Sequence, residues 1–379
     1  MLQNIVQTIS LMISSSVLLS SSLFFAPTTY ALSLNNQTQP NETSKIASSK
    51  NSTSLTDSSD IAESVEPAIG RLVTMLNGKM TWKGKTYTVR SGVSGTGFLI
   101  SQNGYVATNR HVVEPANNPQ DSKEFLAQDL AYQLVEKGKI SFFDVIFNPD
   151  FVKDLAKQAE LSDLKLDQTL VMSNGKKLDF KIAAVDEHQD IAIVKVDAQN
   201  APVLKLADSR QVRVAQYVSV IGYPGIVDRH PWEKDNPIHE SSNLIATLTD
   251  GRISAKKQLE DRTPIFQISA VINHGNSGGP VLNAEGEVVG IATLGYDTSG
   301  YAFALPSNAL QQLMQKNGIS NDESRFNSIY RDAIALYHQK LYGQALSKFL
   351  QAQRLFPYSA ELDQYIRACS LAMQAKPIS

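Results

Sequence analysis

Brief apolar runs broken by Gly, Pro, Asn and Asp fill the chain from Glu63 to Ser307. A stretch punctuated this often has room for many short strands and tight turns. Gly97-Phe98-Leu99-Ile100 runs into Ser101-Gln102-Asn103-Gly104 and then Tyr105-Val106-Ala107-Thr108, which predicts a hairpin turning at Asn-Gly. Ile191–Val196, Tyr217–Ile221, Ile265–Ser269, Glu287–Thr293 and Tyr301–Leu305 read as further strands. This density points to a mainly β barrel or sandwich. One stretch departs from it: Ser122–Lys137 and Asp150–Leu161 space their apolar residues at three and four, as in Phe125, Leu126, Leu130 and Leu134. That spacing predicts helices inserted between strands.

At 379 residues the chain is too long for one compact core. Its net charge of −2, from 35 basic and 37 acidic side chains, offers no broad basic footprint for nucleic acid. A single cysteine, Cys369, excludes an internal disulfide, and no Cys/His cluster has zinc-site spacing. Residues 1–31 hold an apolar run from about Ile9 to Phe25, a breaking Pro27, and small residues at Thr29 and Ala31. The pattern reads as a signal peptide, and an uncleaved anchor is the alternative because no Lys or Arg precedes the run. Residues 32–62 are rich in Ser, Thr and Asn and read as a disordered linker. The protein is therefore expected to be exported to a periplasm, a thylakoid lumen or the medium, with no membrane contact beyond the signal segment.

The chemistry concentrates in three short segments. In Gly275-Asn276-Ser277-Gly278-Gly279-Pro280 a serine sits in a bare, sharply turning backbone. That setting exposes a hydroxyl and leaves amides free to face an oxyanion. Such a serine needs a base. Of His111, His188, His230, His239, His274 and His338, only His111 ends a clear strand and is followed by an apolar pair, Val112-Val113. His274 is too close along the turn to point back at Ser277. A carboxylate must orient the imidazole; Asp190, just before Ile191–Val196, and Asp186 are the two candidates.

His111, Asp190 and Ser277 follow the chain order of chymotrypsin-type proteases, and the wording resembles the HtrA (Deg) branch of the trypsin-like serine proteases. Segments 95–100, 104–113, 190–195, 220–225, 275–280 and 286–291 carry the resemblance, which spans about residues 95 to 306. It selects Asp190 over Asp186. It implies a chymotrypsin-like double β-barrel over residues 63–310, with His111 and Asp190 on the first barrel and Ser277 on the second. It also implies an oxyanion hole at the amides of Gly275 and Ser277, a specificity-pocket floor at Val271, and a pocket wall from Thr293, Leu294 and Gly295. Valine at the floor suggests small or medium apolar side chains before the cleaved bond. The family's oxyanion loop, here Asn273-His274-Gly275, can rest in an inactive geometry until a partner binds. No metal or organic cofactor is implied.

The chain departs from the family pattern in three places. A helical insertion at about 116–165 separates His111 from Asp190 and suits a lid, an exosite, an oligomer contact or a passive elaboration. A polar stretch, Val227–Glu240, stands where the family places a regulatory loop. No PDZ-like segment follows Ser307; residues 320–379 instead read as a small α-helical domain. Its Ser324–Met373 resembles one tetratricopeptide (TPR) repeat closing at Pro357, with Ala333, Tyr342, Ala345, Phe349 and Ala352 in place, departures at Ile329 and Lys340, and a third helix at Ala360–Met373. A lone repeat cannot bury a solenoid core, so it packs on the protease, pairs with another copy or binds a peptide. Cys369 is expected to be buried in it. Two functions follow. The first is an exported serine endopeptidase acting on unfolded or damaged polypeptides. The second is a catalytically latent peptide-binding or chaperone-like module using the tail or insertion.

Overall fold

The computed structural model describes residues 58–114, 118–186, 188–223, 225, 240–296 and 301–374. The signal segment, most of the linker and nearly all of Val227–Glu240 lie outside the described residues. The fold begins earlier than the composition suggests. Helix α1 (Ser58–Val65) takes up the last residues of the expected linker, because Ile61 and Val65 are buried in the main core. Ser58 at its start donates to Asp250 at 2.6 Å.

Twelve strands form two closed antiparallel barrels, the double β-barrel expected from the resemblance. The first contains β1 (Ile69–Trp82), β2 (Lys85–Ser101), β3 (Tyr105–Thr108), β4 (Glu160–Met172), β5 (Lys177–Val185) and β6 (Ala192–Val196), in the order β1-β2-β3-β6-β5-β4. The second contains β7 (Tyr217–Gly222), β8 (Thr247–Gln258), β9 (Pro264–Ile268), β10 (Pro280–Leu282), β11 (Val288–Tyr296) and β12 (Tyr301–Pro306), in the order β10-β11-β12-β9-β8-β7. Closure leaves neither barrel with a free sheet edge in its pairing order. The Asn103-Gly104 turn forms as expected: Gly104 takes φ +80° and donates to Ser101 O at 3.0 Å. A Cβ there would lie 2.6 Å from Val196 O, so glycine is required sterically as well as conformationally.

The insertion differs in detail from its helical reading. It holds α3 (Pro119–Glu136), α4 (Phe142–Phe147) and α5 (Phe151–Gln158), after which the chain is already strand from Glu160. Asn118 caps α3 by accepting from the amides of Gln120 and Asp121, with Pro119 opening the helix. Helices α3 and α5 close a separate small core with the outer half of the β1–β2 hairpin: Leu126, Leu130, Leu134 and Leu155 pack with Leu76, Met80, Tyr87 and Val89. Each such leucine contributes roughly 1.5–3 kcal/mol on burial, enough to hold a hairpin that projects beyond the barrel. The residues around Leu161 complete β4 instead of a helix because they pair with β1, Leu161 opposite Met80.

After β12, helix α6 (Ser307–Lys316) buries Leu310, Leu313 and Met314, and three further helices follow: α7 (Arg325–His338), α8 (Tyr342–Leu355) and α9 (Ala360–Gln374). They pack on the first barrel and share its core cluster through Phe326, Tyr330, Phe349, Phe356 and Cys369. The seam is polar as well. Asn327 exchanges two 2.9 Å hydrogen bonds with the backbone of Val203, and Asn321 donates to Ile100 O and Leu204 O. Among the described residues no helix is long and apolar enough to cross a membrane.

Candidate active site

Strand register brings the candidate residues together. In the β3–β6 pair Thr108 lies opposite Ala192. Three residues beyond Thr108 and two before Ala192 therefore end at the same barrel mouth, and these positions are His111 and Asp190. In the β10–β11 pair Pro280 lies opposite Ile291, which by the same counting sets Ser277 beside Thr293. His111 sits in the single-turn helix α2 (Arg110–Val113), anchored by buried Val112 and Val113.

His111 Nδ1 is 2.8 Å from Asp190 Oδ2, and the His111 amide donates to Asp190 Oδ1 at 3.0 Å. With the carboxylate accepting, the proton belongs on Nδ1 and Nε2 keeps its lone pair. Burial works to raise the Asp190 carboxyl, but hydrogen bonds from the His111 ring and amide and from Thr293 outweigh it, and its pKa is held below the usual value. Asp186 is excluded from this role. Its Oδ1 accepts from the amides of His188 and Gln189 and closes a local turn.

Ser277 stands across the mouth on the second barrel. Its Oγ donates to Thr293 O at 3.1 Å, while Thr293 Oγ1 donates to Asp190 Oδ2 at 2.8 Å. One residue thus ties the serine and the aspartate to a common point. Gly275 and Gly278 take φ +91° and +85°. A Cβ on Gly278 would meet Thr108 Oγ1 at 2.2 Å and Thr96 O at 2.3 Å, so the loop reaches the first barrel only as bare backbone. Among the described residues the amides of Gly275 and Ser277 meet no acceptor. Those of Asn276, Gly278 and Gly279 are satisfied by Asn273 O, Ala292 O and Asn276 O. The two amides left over are those expected of an oxyanion hole.

Val271 is 58% exposed, while Ala270 and Ile272 on either side of it turn into the core of the second barrel. Thr293 is 4% exposed, and its hydroxyl is committed to Asp190, so it contributes backbone rather than side chain to any pocket wall. Leu294 and Gly295 continue β11, the latter opposite Ala302. Sequence reasoning missed the second role of Thr293, and it missed Asn109, a buried residue whose Nδ2 donates to Asp190 O at 2.8 Å. The available signal was chemical: a polar side chain at the end of a short, largely buried strand needs a buried partner. Among the described residues no group of His, Cys, Asp and Glu is arranged to hold a metal ion.

The chain is similar to known proteins over its barrel region. Residues 95–291 match the family model described as a trypsin-like peptidase domain. Serine protease HTRA1A of Danio rerio is 29% identical over 68% of this chain and 40% of its own length. A probable periplasmic serine endoprotease, DegP-like, of Chlamydia muridarum is 30% identical over 58% of this chain and 32% of its own. The chain thus spans less than half the length of these curated relatives. Among solved structures, a serine endoprotease from Yersinia pestis aligns at a TM-score of 0.42, with 24% identity over 69% of this chain and 66% of that one. The barrel topology carries the fold assignment without that superposition. Two six-stranded barrels, the matched family model and the HtrA and DegP relatives converge: the chain belongs to the trypsin-like peptidases, of the HtrA type.

Proposed function

We propose that this protein is an exported serine endopeptidase whose catalytic residues are His111, Asp190 and Ser277. The observation that carries the proposal is the hydrogen-bonded path from His111 through Asp190 and Thr293 to Ser277, beside two free backbone amides. In the reaction the Ser277 hydroxyl leaves Thr293 O and turns to His111 Nε2. Its oxygen attacks the peptide carbonyl while Nε2 takes the proton. Asp190 stabilises the resulting imidazolium, and the amides of Gly275 and Ser277 receive the carbonyl oxygen as it becomes an anion. The C–N bond then breaks, Nε2 returns the proton to the leaving amine, and water repeats the cycle on the acyl-enzyme. The chemistry needs side chains and backbone amides alone.

The substrates are unfolded or damaged polypeptides met outside the cytoplasm. The relatives named periplasmic endoproteases and the apolar run in residues 1–31 support export. The carbonyl edge of β11 at Thr293, Leu294 and Gly295 is the wall along which the substrate backbone lies. Treatment of the full chain with a fluorophosphonate tests the site. The expected result is one adduct per chain, mapped to Ser277 and lost in His111→Ala. An unlabelled Ser277 in folded protein supports the latent binding module instead.

A further inference from the structure

We propose that Thr96, on β2 of the first barrel, is the positioning residue that holds the oxyanion-binding loop of the second barrel in working geometry. The inference rests on the peptidase reading above and adds a residue to its machinery.

Thr96 is 0% exposed, and each of its polar atoms is engaged. Its hydroxyl donates to Gly275 O at 2.7 Å and accepts from the Tyr223 amide at 2.9 Å. Its own amide donates to Ser277 O at 2.8 Å, and its carbonyl accepts from Thr108 Oγ1 at 2.8 Å. Three of the four partners belong to the second barrel, and two of them flank Asn276. Burial alone asks only for the β-branched shape, which valine also supplies. The hydroxyl is therefore the informative atom.

These contacts act on the peptide planes. Fixing the carbonyls of Gly275 and Ser277 fixes the two planes on either side of the one that carries the Ser277 amide. The remaining plane, between His274 and Gly275, is held by its carbonyl, which accepts from the Gly225 amide at 2.5 Å. Gly225 follows Tyr223 in the loop that the Thr96 hydroxyl also grips. In a trans peptide the N–H points opposite the C=O, so holding His274 O turns the Gly275 amide the other way. Thr96 thus fixes the planes on either side of the Ser277 amide, whose own plane is held by the Gly279 amide donating to Asn276 O at 2.9 Å. Its hydroxyl also accepts from Tyr223, two residues before the Gly225 amide that holds His274 O. The approach is close: a Cβ on Gly222 would lie 2.7 Å from Thr96 Oγ1.

The test compares Thr96→Val, which keeps the shape and removes the hydroxyl, with Thr96→Ser, which restores it. Steady-state cleavage of a peptide substrate is expected to show kcat lowered about 100-fold in Thr96→Val, the scale of a lost oxyanion donor. KM should stay within about twofold, and Thr96→Ser should return to within about threefold of the parent. A crystal structure of Thr96→Val should show the Gly275 carbonyl turned away from β2. Undiminished kcat in Thr96→Val, or equal loss in both variants, overturns the proposal. A parent protein that neither cleaves nor labels overturns the peptidase reading, and the crystal structure then decides the positioning claim by itself: a displaced Gly275 carbonyl supports it and an unmoved one refutes it.

Discussion

Asp190 accepts three hydrogen bonds, from the His111 ring, the His111 amide and the Thr293 hydroxyl. Burial opposes its ionisation and these donors win. A carboxylate held below its usual pKa in the folded state contributes stability above that usual value and loses it as pH falls through the depressed one. The same balance keeps Asp190 charged beside His111 at the pH where the imidazole must act as a base. Substitutions should therefore grade with the number of donors removed and the charge lost. Asp190→Asn is expected to lower kcat by roughly 10⁴-fold, since it removes the charge and inverts the tautomer. Thr293→Val, which removes one donor, should cost about tenfold. Rate profiles of the two variants beside the parent check this ordering.

At the scale of elements, the most buried strands were the most legible. β3 and β6 are short and largely apolar, and both were readable from their runs and bounding turns. β1, β4, β5 and β8 were not recognised. Their charged residues fall on exposed or half-exposed positions, and β1 and β4 owe their pairing to partners far away in the chain. Helix α4, Phe142–Phe147, was missed for a different reason: six residues with none buried give no periodic contrast, although its Ser141 capping box was readable in principle. The site divides the same way. His111, Asp190 and Ser277 stood out because their neighbours along the chain form a pattern. Thr96, Asn109 and the Thr293 bond to Asp190 did not, because these tasks exist only once the two barrels meet and the β3–β6 and β10–β11 registers are set.

The whole molecule is fastened around an acidic junction distant in sequence from the catalytic motifs. Glu63 of α1 accepts from the Tyr365 hydroxyl of α9, lies 2.8 Å from His338 Nε2 of α7, and offers its carbonyl to the Tyr330 hydroxyl at 3.0 Å. Glu66, in the single 3₁₀ turn after α1, is faced by Glu63 and Glu361. Burial first, then repulsion from Glu361 and Glu63, raises its pKa from 4.5 to about 7. Between these values the folded state binds more protons than the unfolded chain. Stability is therefore expected to fall as pH rises from about 4.5 to 7 and to level off above, by an amount on the order of 2–3 kcal/mol. Urea unfolding of the parent and Glu66→Gln across pH 5 to 8 measures this. The parent should lose stability on the alkaline side, and the variant should show a flatter profile over the same window.

The most direct measurement is cleavage of denatured casein by the full chain beside its Ser277→Ala variant. The account predicts time-dependent peptide release by the parent and none by the variant, with equal far-ultraviolet circular dichroism for both. Release that persists in Ser277→Ala, or a folded parent that leaves casein intact, contradicts it.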